Sequence, residues 1–240
     1  MRRHELTERE WKLVEPHTMG RLGTGRDNHL FANAMLYRVR TGVAWRDLPK
    51  RFGPWNTVAR RFRRWAQAGA WEALFQAVQE PDYNCVLVDL STAKAHKAAA
   101  GQKKHARGRS RGGFSTKVPA VVDALGNCLH LVLTPSQAAD IPQLPGLLAA
   151  LPEHPGAVVA DKAYDTDTVL NTLAQRETKA VIPPKVNRLY QRDYDENLYA
   201  DRNKVERFFG RLKKVRSFAT RYEKTASSFL AVAHLLAALD

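Results

Sequence analysis

The stretch Tyr199 to Lys213, YADRNKVERFFGRLK, constrains this chain more than any other. It holds no proline and one glycine, Gly210, and reads as a helix. At about 100° per residue, Leu198, Val205, Phe208, Phe209, Leu212 and Val215 form one apolar stripe. Tyr199, Arg202, Glu206 and Lys213 fall beside it, within an arc of about 60°. One carboxylate thus shares a strip with a phenol, a guanidinium and an ammonium, next to a face that must be buried. Taken alone, the strip is equally a half-exposed helix face laced with ion pairs.

The 240 residues suffice for one large domain or two small ones. Hydrophobic residues make up 44%, enough for a core, and charged residues 26%. The formal net charge is +14. Such an excess favours a polyanionic partner, nucleic acid first among them, and fits any basic binding protein as well. Cys85 and Cys128 lie far apart in apolar runs, which argues against a disulfide framework or a zinc site. The N-terminus has no apolar signal core, and Phe229 to Leu239 is too short to span a membrane. A reduced, cytoplasmic protein is expected.

Residues 1–80 read as helical. Thr7 and Glu10 form a capping-box pattern that opens a helix through Val14. A second helix spans Asn28 to Arg40 and stops at Thr41-Gly42; a third runs from Asn56 to Ala68, and a short fourth starts near Trp71. In the third, Val58, Phe62 and Trp65 face inward, while Arg60, Arg61 and Arg64 project elsewhere. Helix, tight turn and basic helix is a helix-turn-helix-like order, and equally that of a small helical bundle with solvated arginines.

From Asn84 the pattern changes. Cys85 to Val88 reads as a strand buried on both faces and ends at Asp89. Residues 90–115 read as a basic loop. Between Leu90 and Val122 there are eight Lys or Arg and no Asp or Glu. Lys103, Lys104, Arg107, Arg109 and Arg111 are its candidate phosphate contacts. Thr116 to Val122 and Cys128 to Leu133 read as a hairpin, with a bulge or a late strand start expected at Pro119. A helix follows near Leu144 to Leu151. Ala157 to Ala160 is a fourth strand, ending at Asp161. Asp165 or Thr166 caps a helix to about Gln175, and Ala180 to Ile182 is a fifth strand. The apolar tail, Ser227 to Leu239, is expected to pack on the sheet.

Taken with DLSTAKAHKAAAG, GRSRGGFSTK and ADKAYDTD, the spacing Y-x-x-R-x-x-x-E-x-x-x-x-x-x-K resembles the bacterial insertion-sequence transposases of the DDE class, families four and five, with five the nearer. LTEREW, TGVAWRDLP and FGPWNTVARRFRRW resemble their N-terminal domain, so the likeness runs from about Leu6 to about Leu236. Two departures stand out: Leu90 intervenes before Ser91-Thr92, and Ala163 replaces the usual glycine.

The resemblance implies an α+β chain: a helical, helix-turn-helix-like DNA-binding domain over 1–80, then a ribonuclease-H-like catalytic domain over 81–240. The latter would hold a mixed five-stranded sheet with packed helices. It implies that Asp89, Asp161 and Glu206 are the catalytic carboxylates and the ligands of two Mg2+ ions, with Mn2+ as a substitute. Carboxylates are the hard oxygen ligands such ions take. Tyr199, Arg202 and Lys213 would hold DNA near the cleaved bond. The implied partners are double-stranded DNA, as element ends and target, and further copies of the chain, a homodimer or higher oligomer. The implied place is the bacterial nucleoid. The implied reaction is cleavage at element ends and joining of the 3′-hydroxyl to target DNA. A related nuclease without strand transfer and a catalytically inactive DNA-binding regulator remain the alternatives. His96 reads as a site-supporting or DNA-contacting residue or, equally, as a core histidine, and Asp140 and Asp165 as caps or supports.

Overall fold

The computed structural model describes residues 4–19, 27–99, 106, 108–110 and 113–240. The helices and strands in chain order are α1 (Glu8–Val14), α2 (Asn28–Thr41), α3 (Trp55–Gln67), α4 (Ala70–Ala77), β1 (Cys85–Ala95), β2 (Gly108–Ser110), β3 (Gly113–Asp123), β4 (Cys128–Leu131), β5 (Thr134–Pro135), α5 (Leu144–Ala149), β6 (Ala157–Ala160), α6 (Asp167–Gln175), β7 (Lys179–Val181), α7 (Glu196–Ala200), α8 (Asn203–Lys213), α9 (Arg216–Ala219), β8 (Thr220–Arg221) and α10 (Ala226–Ala237). They fall into two compact units: residues 1–79, 94–105 and 212–240 in one, and 80–93 and 106–211 in the other.

In the first unit the start and stop residues act as their chemistry dictates. Thr7 and Glu10 close the capping box on α1. Asp27 caps α2, and Gly42, at φ 68°, ends it in the left-handed region that favours glycine. Phe31, Phe62, Trp65 and Trp71 make the aromatic core, with Phe31 and Trp65 meeting edge-on at 4.9 Å. Helix α10 packs on α3 and α4, and its His234 stacks on Phe75 at 5.3 Å. That overturns the expected docking of the tail on the sheet. The tail's apolar face is covered by helical partners, and residues 212–240 group with the N-terminal helices rather than with the rest of 81–240.

The second unit is built on β1. Its Cys85 to Val88 are buried on both faces, as a continuous apolar run requires. β1 pairs in parallel with β6, and β6 with β7. On its other side lies β3, which pairs antiparallel with β4. The order β4-β3-β1-β6-β7 is the expected ribonuclease-H-like arrangement. Among the described residues the sheet has eight strands rather than five, because β2 and β5 pair short stretches of β3 and, among residues grouped with the first unit, β8 pairs Lys94 and Ala95 of β1. Val86, Val88, Val158 and Ala160 share one face and pack with Leu147, Leu148 and Leu173 of α5 and α6.

Three further expectations change here. β1 continues six residues past Asp89, and β2 and β3 pair antiparallel, so residues 90–115 are not one loop. β3 starts early, at Gly113, and its irregularity falls between Val121 and Val122 rather than at Pro119. The stretch 199–213 is not one helix. It divides at Asp201–Arg202 into α7 and α8, each with its own start, Asp195 capping the first. No described helix is long and apolar enough to cross a membrane.

Candidate active site

Register places the first two carboxylates. Val88 pairs with Ala160 across the parallel β1–β6 ladder, so Asp89 and Asp161 come next on adjacent strands. Side chains alternate along a strand, so both leave the face that carries Val88 and Ala160. They stand at the carboxyl side of β6, where open α/β sheets hold their ligands. The Asp89 carboxylate accepts from the Leu90 amide at 2.8 Å and from Arg202 at 3.4 Å. Asp161 accepts from the Ala163 amide at 2.8 Å and starts a short turn. The methyl of Ala163, which departs from the family pattern, is exposed, and the contact to Asp161 comes from its backbone.

Helix α8 brings Glu206. Val205, Phe208 and Phe209 are buried and anchor the helix, which leaves Glu206 half exposed on the neighbouring strip. Although Arg202 precedes α8, the four-residue spacing still pairs it with Glu206. Arg202 therefore bridges Asp89 and Glu206, residues 117 apart in sequence. Its guanidinium lies 6.0 Å from the Tyr199 ring centre, which itself meets Tyr194 edge-on.

The electrostatics follow. Burial raises the Asp89 carboxyl above the ordinary carboxylate range; the Leu90 amide and Arg202 oppose the rise, and the charges of Glu206 and Asp161 add to it. Burial would lower Arg202, but Glu206 and Asp89 outweigh it and raise the guanidinium. Burial likewise raises the Tyr164 phenol, with Asp140, Asp89 and Asp161 adding to the effect. Asp89 thus feels the charge of both other candidate carboxylates, with Arg202 pairing it and Glu206. Their oxygens are the hard donors that a divalent cation takes, so the donor set fits magnesium. As the side chains stand, no three His, Cys, Asp or Glu among the described residues are grouped closely enough to enclose a metal ion.

The other candidates scatter. Arg60 and Arg64 are exposed on α3. Arg61 is turned inward: it donates to the Asp27 carbonyl at 3.2 Å and to the Asn28 side chain, and covers the Phe31 ring at 4.3 Å. Lys213 is exposed at the end of α8, in the other compact unit from Asp89. Lys103, Lys104, Arg107 and Arg111 lie outside the described residues. Arg109 is on β2, its side chain likewise outside them. His96 lies in the first unit, its ring 4.8 Å from that of Tyr222. Asp140 makes no cap and pairs with Lys117 at 2.5 Å.

Of the two cap candidates Thr166 caps α6, and Asp165 acts as a support. Its carboxylate is fully buried and accepts from the Lys185 amide at 2.7 Å, from Arg188 at 3.0 Å and from Arg192 at 3.0 Å. These bonds fasten the loop that leads to α7 and α8. No local pattern announces them, because the partners are 20 to 27 residues away.

Residues 80–240 match the family model described as "Transposase DDE domain", and residues 6–75 match "Putative transposase of IS4/5 family". A Brucella ovis protein described as "Putative transposase for insertion sequence element IS6501" is 40% identical over 128 residues, which cover 52% of this chain and 97% of that protein. A 16.2 kDa protein of insertion element IS402 from Burkholderia cepacia is 32% identical over 112 residues, covering 39% of this chain and 74% of that one. Among solved structures, the piggyBac transposase in a synaptic complex with hairpin DNA shares the fold. Its TM-score is 0.54 at 10% identity, over 94% of this chain and 68% of that one. With its DDE domain matched over two thirds of its length, the chain belongs to the insertion-sequence transposases of the IS4/5 type.

Proposed function

We propose that this transposase binds the ends of its element as double-stranded DNA, cuts a phosphodiester bond there and joins the freed 3′-hydroxyl to target DNA. Asp89, Asp161 and Glu206 are the catalytic carboxylates. The observation that carries the reading is the convergence at one strand end: two carboxylates on adjacent parallel strands, and a third from α8 tied to the first through Arg202. In Asp89 and Asp161 one carboxylate oxygen accepts from a backbone amide, that of Leu90 and of Ala163 respectively. Two magnesium ions, replaceable by manganese, would be held by the three carboxylates and supply the polarisation of water and leaving oxygen that phosphodiester chemistry needs. Arg202 and Tyr199 position a DNA phosphate beside the acids, the arginine through charge-assisted hydrogen bonds. Exposed Arg60 and Arg64 and the basic segment around Lys103 to Arg111 bind the DNA backbone, and two or more copies act together on the paired ends.

The test is incubation of the purified protein with magnesium and labelled DNA carrying the element ends. Joined products support the proposal. Nicks without joining leave a nuclease, and bound but intact DNA leaves an inactive DNA-binding regulator; either result refutes the transposition reading.

A further inference from the structure

A cavity lies wholly within the first compact unit, whereas the three carboxylates belong to the second. It measures about 510 Å3, within the usual range of ligand pockets, and is walled by the turn after α2, by α3 and by residues 216–228. Inside it, Arg38 and Glu223 form an ion pair at 3.1 Å, and each residue is only 6% exposed. The pair is incompletely satisfied. Arg38 Nε and Nη1 and Glu223 Oε2 have no hydrogen-bond partner among the described residues. Burying a charged pair is costly, and leaving donors and an acceptor idle beside it is costlier still. Both residues line the cavity, and packing alone gives no reason to keep such a pair beside it.

The walls state what would answer them. Trp45 lies under the Arg38 guanidinium, 3.9 Å from its ring centre, and Tyr222 supplies a second aromatic face. Arg63, Arg216 and Lys224 are exposed at the rim. Aromatic faces stack on a flat heteroaromatic ring, the idle donors and acceptor match the mixed edge of a nucleobase, and the rim cations suit a phosphate. We propose that this cavity takes the base of an unpaired nucleotide of single-stranded DNA, with its phosphates on Arg63, Arg216 and Lys224. The base stacks against Trp45 and Tyr222 and bonds to Arg38 and Glu223. The proposal rests on DNA as the partner, but on neither cleavage nor the three carboxylates.

The experiment compares the full-length protein's affinity for a labelled ten-nucleotide single strand with that for an abasic strand of equal length and charge, by fluorescence anisotropy. A duplex of the same sequence is measured in parallel. The base-bearing strand is expected to bind about tenfold or more tightly, in line with base–aromatic stacking. Ala44→Phe blocks the mouth from an exposed position of extended backbone, so it leaves the core intact. It is expected to erase that preference while duplex affinity stays within about twofold. Equal binding of the two strands by the wild type, or a preference that survives Ala44→Phe at full size, overturns the proposal. Duplex binding with no single-strand binding overturns it too and leaves DNA as the partner. Binding of neither form overturns both.

Discussion

Glu206→Gln keeps the size of the side chain and its place on α8 but removes its charge. The structural cost follows from its surroundings. Glu206 is 52% exposed, and its partner Arg202 retains Asp89. A half-exposed pair at this spacing contributes about 0.3–0.5 kcal/mol. The anchors of α8, Val205, Phe208 and Phe209, do not depend on it. The melting temperature should therefore fall by no more than about 2 °C. Catalysis should respond on another scale. A neutral amide is a poor ligand for a hard divalent ion, and losing metal-assisted charge stabilisation costs several kcal/mol. At about 1.4 kcal/mol per decade, a loss of about 4 kcal/mol lowers cleavage roughly a thousandfold. The assay is single-turnover cleavage of labelled end DNA in magnesium, alongside thermal melting and gel-shift titration. DNA affinity should hold or rise, since a negative charge near phosphate is gone. Asp89→Asn and Asp161→Asn should match it, and double variants should be no worse than single ones, because the three carboxylates act as one unit. Asp89→Asn should also melt no lower than wild type, since burial disfavours that charge. A folded Glu206→Gln protein that cleaves within tenfold of wild type would refute the assignment.

Asp165→Ala should destabilise the protein by about 2 kcal/mol in chemical denaturation, since it strips a fully buried acceptor from two arginines and an amide. The Asp165 carboxyl lies below its ordinary value of 3.8: burial alone would raise it, and the Lys185 amide, Arg188 and Arg192 together outweigh that. The stability it provides is thus present above pH 3.8 and is lost as pH falls through the lower folded value; wild type and variant should converge there in acid melts. Replacing Lys103, Lys104, Arg107, Arg109 and Arg111 by Ala should flatten the log–log salt dependence of duplex binding by roughly one unit for each phosphate no longer neutralised; an unchanged slope removes that segment from the interface. Arg60→Ala with Arg64→Ala should weaken end binding without lowering the melting temperature. Arg61→Ala should lower the melting temperature, because that side chain closes onto Asp27, Asn28 and Phe31; equal melting of all three contradicts this division.

Much of this architecture could be read from local chemistry. The capping box at Thr7, the stop at Gly42, the apolar runs 85–88 and 157–160 and the stripe of α8 are set by neighbours a few residues apart. The two aspartates were visible because each closes an apolar run, although only β6 ends there and β1 continues to Ala95. What neighbours could not supply came from pairing at a distance. The break at Asp201–Arg202 goes against a continuous helical pattern, and the side chain at the break is held by Asp89, 113 residues earlier. The tail α10 has an apolar face that would suit a sheet or helices, and only the folded chain shows that it lies on α3 and α4. Arg61 and Arg64 look alike in a basic helix, yet only one meets Asp27, Asn28 and Phe31. Residue type and spacing limit which partners a side chain can satisfy. Which of those partners it meets depends on how the whole chain packs.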